Sequence, residues 1–269
     1  MTKRIITSVI GVPILIIVVY LGGLVLQAAT LTFALFGIRE FYAAVSKKSA
    51  SVHMIGYVFT VAYVASLPWL GTDGILIFFT AFILALLISV VINHEKFTIT
   101  DAAITFFGFF YVPFLMSFVY MTRAHKTGVY FAWLIFISAW GSDTFAYFTG
   151  KALGKHKLCP NLSPKKTVEG SLGGVIGATA MSVIYALLAN KFALNLEVNM
   201  VFFCATIGFF GSMFSQFGDL AASAIKRQTG IKDFGYIIPG HGGALDRFDS
   251  MLFTAPSVFI VMYVLINYV

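Results

Sequence analysis

The chain is a succession of apolar stretches, each close to the length of a membrane-spanning helix, joined by polar connections. A helix needs about 20 apolar residues to cross the hydrocarbon core of a bilayer. These stretches are continuous rather than alternating, which favours helices over the strands of a membrane barrel. The pattern predicts nine transmembrane helices, at residues 5–21, 24–45, 52–70, 74–93, 102–122, 128–149, 171–190, 198–222 and 250–268.

Composition supports the same fold class. Hydrophobic residues make up 59% of the 269 residues and charged residues only 11%, whereas a soluble domain is about 25% charged. A chain of this length cannot bury so much apolar surface in one water-soluble core. We therefore expect an all-α polytopic membrane protein, which excludes a disordered chain or a soluble nucleic-acid-binding domain. The two cysteines, Cys159 and Cys204, show no spacing typical of a disulfide framework or a zinc site.

The distribution of positive charge predicts the orientation. If the N-terminus and the loops after even-numbered helices share one face, that face carries 15 of the 18 Lys and Arg residues. By the positive-inside rule, the N-terminus is cytoplasmic and the C-terminus lies outside, in the cell inner membrane. The first stretch resembles a signal peptide, but the chain turns apolar again after Gly22-Gly23, so we interpret it as an uncleaved helix. Two long cytoplasmic loops are predicted, at about 150–170 and 223–249.

Two acids lie inside the last turns of apolar stretches. Asp143 and Asp219 would each destabilise a membrane helix by a few kcal/mol unless paired or facing water. Gly211, Ser215, Asp219 and Ser223 are spaced four apart, so they share one small and polar helix face that favours close packing. We expect both acids to face a polar cavity. The alternative is an acid that is simply hydrogen-bonded or reaches water near a helix end.

The segment from Ser223 to Asp249 has the highest density of ionisable side chains. Its charged residues and histidine are Lys226, Arg227, Lys232, Asp233, His241, Asp246, Arg247 and Asp249. Lys and Arg neutralise phosphate oxygens, glycines allow backbone N–H groups to approach anions, and carboxylates hold Mg²⁺. A solvated positive-inside loop would explain Lys226 and Arg227 equally well. It would not explain three acids beside a Pro-Gly-His-Gly-Gly turn.

The earlier loop, 150–170, is also basic. Lys165, Lys166 and Glu169 would lie at the mouth of the seventh helix. The loop is either an ordinary basic segment facing anionic lipid or a second clamp for phosphate. The residues alone leave both interpretations open.

A family resemblance rests on these segments. Ser223-Ala-Ile-Lys226-Arg227, Lys232-Asp233 and Pro239-Gly-His241-Gly-Gly-Ala-Leu-Asp246-Arg247-Phe-Asp249 resemble, with matching spacing, the signature of the phosphatidate cytidylyltransferases, or CDP-diacylglycerol synthases. Residues 143–150 and 163–170 also resemble family segments. The resemblance spans about the C-terminal half of the chain.

The resemblance implies an activity and a set of site residues. CTP and phosphatidate would react to give CDP-diacylglycerol and pyrophosphate with Mg²⁺, and the number of acids is compatible with a second cation. We expect residues 1–100 to form about four helices and residues 101–269 to form the catalytic region. Expected catalytic residues are Asp219, Lys226, Arg227, Asp246 and Asp249, and expected metal ligands are Asp219, Asp246, Asp249 and Asp143. Expected substrate-binding residues are Lys165, Lys166, Glu169, Ser223, Lys232, Asp233, His241 and Arg247.

The expected partners follow from the same resemblance. They are CTP and membrane phosphatidate, with no nucleic acid, and stripes of small residues permit a homodimer. One alternative is a related CTP-using lipid nucleotidyltransferase or kinase with another lipid acceptor. The other is an anion transporter, but the predicted helices carry no strong acid near the bilayer midplane.

Overall fold

A computed structural model describes residues 2–45, 53–190, 199–237 and 242–268. This part of the chain is almost entirely helical. Its helices are α1 (Thr2–Leu21), α2 (Gly23–Val45), α3 (His53–Ser66), α4 (Thr72–Ile92), α5 (Ile99–Phe109), α6 (Leu115–Ala124), α7 (Gly128–Leu153), α8 (Val168–Ala189), α9 (Met200–Thr229) and α10 (Leu245–Tyr268).

A π-helical turn, Phe110–Phe114, connects α5 to α6 without a break. It contains Pro113, which has no N–H to donate to the preceding turn, and π-turns inside helices accommodate such a defect. Helices α5 and α6 and the π-turn thus form one helical stretch from Ile99 to Ala124. Counted in this way, the described part of the chain has nine helical stretches. Each overlaps one of the nine predicted segments.

Six of these stretches are long and apolar enough to cross a membrane. They are Gly23–Val45, Thr72–Ile92, Ile99–Ala124, Val168–Ala189, Met200–Thr229 and Leu245–Tyr268. Two further apolar helices, Val9–Leu21 and His53–Ser66, are shorter. The prediction of an all-α, multi-pass membrane protein is thereby confirmed.

Two helix boundaries differ from the prediction in a way that matters for function. α9 continues to Thr229 rather than ending near residue 222, so Lys226 and Arg227 lie on its last turns. Basic side chains are good helix formers, and they are favoured near the negative end of the helix dipole. α10 begins at Leu245 rather than 250, which places Asp246 in its first turn. Apolar length alone underestimated both helices because their charged ends extend beyond the apolar part.

The loop predicted at 150–170 contains regular structure. Strands β1 (Lys157–Cys159) and β2 (Ser163–Thr167) form an antiparallel hairpin in which Lys157 pairs with Thr167 and Cys159 with Ser163. Thr167 then caps α8, because its side chain accepts a hydrogen bond from the Gly170 N–H. Lys165 and Lys166 therefore project from a strand that leads directly into a helix.

The chain divides into two compact units, residues 1–120 with 229–247 and residues 121–228 with 248–269. The first unit has an aromatic core. Tyr63 and Phe82 pack against Phe109, with ring centroids 5.5 and 4.8 Å away, respectively. The Tyr42 hydroxyl donates to the Thr105 carbonyl at 2.8 Å, which connects α2 to α5.

The second unit is organised by close contact between α7 and α8. A methyl group added at Gly173 would lie 2.2 Å from Oγ1 of Thr149, and one added at Gly177 would lie 2.1 Å from Cγ of Phe145. Both distances are too short for a side chain to be added unless Thr149 or Phe145 shifts, so glycine allows the two helices to approach closely here. Gly173 and Gly177 are four residues apart in sequence, a spacing of small residues that is common where membrane helices pack closely.

Candidate active site

A cavity of about 310 Å³ lies in the second unit, among α7, the hairpin, α8 and α9. The polar side chains of its lining are those of Asp143, Tyr147, Lys151, Lys165, Lys166, Thr167, Ser171 and Gln216. Three lysines in one cavity indicate a site for a negatively charged ligand. Of the predicted site residues, the structure thus brings Asp143, Lys165 and Lys166 together at one surface.

Lys166, on β2, forms an ion pair with Asp219, on α9. Both side chains are 28% exposed, so the pair is only partly screened by water. Asp219 also lies within electrostatic range of Asp143 and Asp249, and the three carboxylates repel one another. Lys166 and Lys226 are the cations that offset this repulsion, Lys166 at Asp143 and Lys226 at Asp249.

Asp249 is the most enclosed of the three acids, with 7% of its surface exposed. One carboxylate oxygen accepts the N–H of Ser250 at 2.7 Å. A methyl group added at Gly218 would lie 2.7 Å from the Asp249 carbonyl oxygen, so this glycine allows α9 and α10 to approach closely. The contact lies one residue before Asp219 and brings Asp219 and Asp249 to the same region.

The three carboxylates have the chemistry of a Mg²⁺ site but do not form a closed ligand shell. Within the described ranges, no three His, Cys, Asp or Glu side chains are arranged closely enough to hold a metal ion. Mg²⁺ is commonly held by one or two carboxylates, with water and substrate phosphates as its other ligands. Asp219 and Asp249, with Asp143 nearby, fit this open arrangement.

A buried amide network beside the cavity was not predicted. Gln216 donates from Nε2 to the Ser142 hydroxyl at 3.2 Å and to the Ser171 carbonyl at 3.0 Å, and its Oε1 accepts from the Ser171 hydroxyl. Gln216 lies three residues before Asp219, on the same side of α9. The network connects α7, α8 and α9 and fixes the part of α9 from which Asp219 projects.

Glu169 is the residue that anchors the hairpin. Its carboxylate accepts the N–H groups of Lys155 at 3.0 Å and His156 at 3.2 Å, and it lies 2.6 Å from Nδ1 of His156. It therefore ties the residues just before β1 to the first turn of α8. Substrate binding, the role expected for Glu169, stays a prediction beside these contacts within the protein.

Asp246 lies in the signature segment, residues 223–249, and binds two backbone amides in the part of that segment that belongs to the first unit. Its Oδ2 accepts the Phe234 N–H at 2.8 Å and the Gly243 N–H at 3.1 Å, and the residue is 8% exposed. Gly242 has φ +85°, a left-handed conformation that favours glycine. A single oxygen of Asp246, a predicted metal ligand, thus binds both Phe234 and Gly243, which are nine residues apart in sequence.

Glu40 contacts the start of α10, and the sequence did not single it out. Its two oxygens accept the N–H groups of Ala244 at 3.0 Å and Leu245 at 2.8 Å, and it is 4% exposed. The available signal was an acid inside the apolar stretch 24–45, which is unfavourable in lipid without a specific partner. The partner lies 204 residues further along the chain, which no local pattern reveals.

The remaining predicted residues are less enclosed. Arg227, Lys232 and Arg247 are exposed, and Ser223 and Asp233 are half-buried. Ser223 lies on α9, one turn beyond Asp219, as the four-residue spacing predicts. His241, with Pro239 and Gly240, lies outside the described residues. None of these side chains has a role that the geometry alone assigns.

Comparison with known proteins supplies the family. The model of the cytidylyltransferase family matches residues 2–265. A phosphatidate cytidylyltransferase of Staphylococcus aureus (strain COL) is 32% identical over 97% of this chain and 99% of its own length. Proteins with the same name from Staphylococcus saprophyticus and Staphylococcus haemolyticus show the same identity and coverage. The match includes the N-terminal helices as well as the signature segment, and the chain belongs to the cytidylyltransferase family.

Proposed function

We propose that this protein is a phosphatidate cytidylyltransferase that converts CTP and phosphatidate to CDP-diacylglycerol and pyrophosphate. The observation that carries the proposal is the Lys166–Asp219 ion pair beside a cavity that three lysines line. Both substrates are polyanions, and one of them is anchored in the bilayer. A cavity formed by membrane helices and a basic hairpin suits such a pair of ligands.

In the proposed reaction, an oxygen of the phosphatidate phosphate attacks the α-phosphorus of CTP. The bond between that phosphorus and the oxygen leading to the β-phosphate breaks, and pyrophosphate leaves. The attacking phosphate is already anionic and needs no general base. The protein therefore contributes mainly by positioning the two phosphates and neutralising their charge.

The lysines of the cavity are the residues best placed for that task. Lys165 and Lys166 would bind the triphosphate or the lipid phosphate, and Lys151 lines the same cavity. A phosphate that binds Lys166 competes with Asp219, so substrate binding would release the Asp219 carboxylate. We also propose Lys226, Arg227, Lys232 and Arg247 as further phosphate-binding cations, with Ser223, Asp233 and His241 as substrate-binding residues.

We propose Asp219 and Asp249, with Asp143, as the residues that hold Mg²⁺. When bound there, the ion would neutralise charge on the transferring phosphate and on pyrophosphate. The mutual repulsion of the three carboxylates supports this assignment, because a cation relieves it. Asp246 stays a proposed ligand through its other oxygen, and a second cation stays part of the proposal.

Glu169 is better explained as a positioning residue. Because its carboxylate binds Lys155 N–H, His156 N–H and the His156 ring, it fixes the hairpin that presents Lys165 and Lys166. We propose that it acts through these lysines rather than by touching substrate.

The proposed topology has nine transmembrane helices, a cytoplasmic N-terminus and an external C-terminus in the bacterial inner membrane. The proposal rests on the coincidence of nine predicted and nine described helical stretches and on the 15:3 distribution of basic residues. The cavity, the hairpin and the signature segment would then face the cytoplasm, where CTP is found.

We also propose a homodimer, which stripes of small residues permit. Gly173 and Gly177 pack against Thr149 and Phe145 of the same chain, so the proposed dimer would use another surface.

The decisive test is conversion of radiolabelled CTP by the detergent-purified protein. Wild type, Lys166→Met and Asp219→Asn would be assayed with and without phosphatidate and Mg²⁺, and the lipid products separated by thin-layer chromatography. Label that enters the lipid phase only when phosphatidate and Mg²⁺ are both present would support the transferase. Lys96→Met, an exposed lysine between α4 and α5, is the matched control for lost positive charge.

Three outcomes would overturn parts of the proposal. Lipid labelling only with another acceptor would identify a related lipid nucleotidyltransferase. Transfer of the γ-phosphate rather than the cytidylyl group would identify a CTP-using kinase. Folded wild-type protein without lipid labelling from any acceptor would argue against the enzyme and leave anion transport to be measured in vesicles.

A further inference from the structure

Glu40 connects the N-terminal helices to the signature segment. We infer that Glu40 is a positioning residue: it holds the first turn of α10 and thereby sets the orientation of Asp246 and the residues that follow it. The functional consequence rests on the proposed transferase activity. The geometric consequence, a fixed start of α10 at Ala244 and Leu245, does not.

Three consecutive backbone amides at the start of α10 are bound by carboxylates. Gly243 N–H donates to Asp246, while Ala244 N–H and Leu245 N–H donate to Glu40. The first N–H groups of a helix have no partner within the helix, and the helix dipole makes this end attractive to negative charge. A carboxylate that accepts two such bonds makes stronger contacts than a neutral side chain.

Two glycines make room for the Glu40 side chain. A methyl group added at Gly235 would lie 2.4 Å from Oε1 of Glu40, and one added at Gly243 would lie 2.4 Å from Oε2. Gly235 and Gly243, which precede and follow residues 238–241 in the sequence, thus both lie against the carboxylate. Glycine at these positions is explained by Glu40 and requires no bound anion.

The arrangement places two carboxylates near each other, which is electrostatically unfavourable and would not occur with a neutral capping residue. Glu40 and Asp246 are both buried, and their negative charges repel. A neutral glutamine would avoid that repulsion, but it has one acceptor oxygen, whereas Glu40 offers a separate oxygen to each of the two amides. Local electrostatic conflict is expected where function constrains the residue type.

The same contacts bear on where substrate phosphate binds. Helix N-termini commonly bind phosphate, but the amides of Gly243, Ala244 and Leu245 already have carboxylate partners. A phosphate would have to displace these carboxylates to bind here, so we expect the substrate phosphates to bind elsewhere in the site.

The test combines hydrogen exchange with kinetics on the full-length protein in detergent. Glu40→Gln keeps the size of the side chain but replaces one acceptor with a donor, which faces a backbone N–H. We expect the amides of the peptide 242–250 to exchange at least about tenfold faster than in wild type. We expect kcat to fall about 10- to 100-fold, because misplaced groups react slowly, with a smaller change in the KM for CTP.

Gln27→Leu is the matched control on the same helix. Gln27 is also buried in α2 and donates to the carbonyls of Val64 at 2.7 Å and Ala65 at 3.1 Å, so its loss weakens the packing of the first unit. This variant should lower Tm without faster exchange in 242–250 and without a loss of kcat per folded molecule. Glu40→Asp, which keeps the charge, should recover part of both properties.

A steric variant tests the inference independently. Gly235→Ala should displace the Glu40 carboxylate and reproduce the Glu40→Gln behaviour. In Glu40→Ala, the space is empty, so adding Gly235→Ala should cause little further loss. Additive losses would argue against the contact.

The two parts of the inference fail separately. Unchanged exchange in 242–250 of Glu40→Gln would overturn the positioning role, whether or not the protein proves to be a transferase. Faster exchange with unchanged kcat would show that Glu40 is structural only. A wild-type protein without transferase activity would reject the proposed function, while the exchange measurement would still decide the geometry.

Discussion

Lys166 on β2 and Asp219 on α9 form an ion pair at the cavity of the second unit. The two residues come from segments that are more than 50 residues apart in sequence, one basic and one mostly apolar. Their contact gives an acid on a mostly apolar helix a partner of opposite charge. It also means that Lys166, which binds a protein carboxylate here, could bind a substrate phosphate in place of that carboxylate.

The first prediction concerns this lysine. Lys166→Met should lower kcat/KM for CTP by about 100- to 1000-fold, which is typical for loss of one charge-stabilising group in an enclosed site. Lys166→Arg keeps the charge but not the compact ammonium geometry, so it should recover only part of the activity. Steady-state kinetics beside Lys96→Met measure the effect. Equal activity in Lys166→Met and Lys96→Met would show that Lys166 does not take part in the reaction.

The second prediction concerns the hairpin. Glu169→Ala removes the acceptor for Lys155 N–H, His156 N–H and the His156 ring, so the hairpin should become more mobile. We expect the KM for CTP to rise about tenfold, because the lysines would no longer be held in place. Glu95→Gln, an exposed acid between α4 and α5, is the control. If KM stays normal while kcat collapses, Glu169 contacts the reacting groups instead.

The third prediction concerns Asp246. In Asp246→Asn, the amide oxygen can still accept from Phe234 N–H and Gly243 N–H, so the protein should fold with a nearly normal Tm. The negative charge is lost, and activity should fall by about 100-fold or more if that charge supports catalysis. Activity and Tm are measured on the same preparation. Near-normal turnover would reject the proposed metal role.

Much of this architecture could be predicted from the sequence because the membrane imposes a simple pattern. Apolar length located the nine helical stretches. The four-residue spacing of Gly211, Ser215 and Asp219 correctly predicted a buried helix face, with Gly211 and Ser215 buried and Asp219 partly exposed. Motif chemistry directed attention to residues 163–170 and 223–249.

Other features depended on contacts between distant segments. The Glu40 partners at Ala244 and Leu245 and the Gln216 partners at Ser142 and Ser171 arise only when helices pack. The hairpin was not predicted because residues 157–167 contain few apolar residues, two prolines and several charges, which is not typical of a strand pattern. The contact that holds the hairpin comes from Glu169, which lies outside it. Hydrophobic periodicity does not report such polar tertiary contacts.

The last prediction concerns the contact between α7 and α8. Gly177→Ala places a methyl group where Phe145 already lies, 2.1 Å from Cγ, and overpacking of this kind costs about 1–3 kcal/mol. We expect Tm in detergent to fall by several degrees, and activity to fall with it, because the same helix pair carries Asp143 and part of the cavity lining.

Gly11→Ala is the matched substitution in α1, where a methyl group would meet no atom within 4 Å. Alanine is favoured over glycine in a helix by about 1 kcal/mol, so this variant should be as stable as wild type or slightly more stable. Truncating the opposing ring in Phe145→Ala/Gly177→Ala should restore part of the lost Tm, because it removes the ring atoms that the new methyl group would meet. A Gly177→Ala protein as stable as Gly11→Ala would mean that α7 and α8 are further apart than described, and the cavity between the hairpin and these helices would have to be wider.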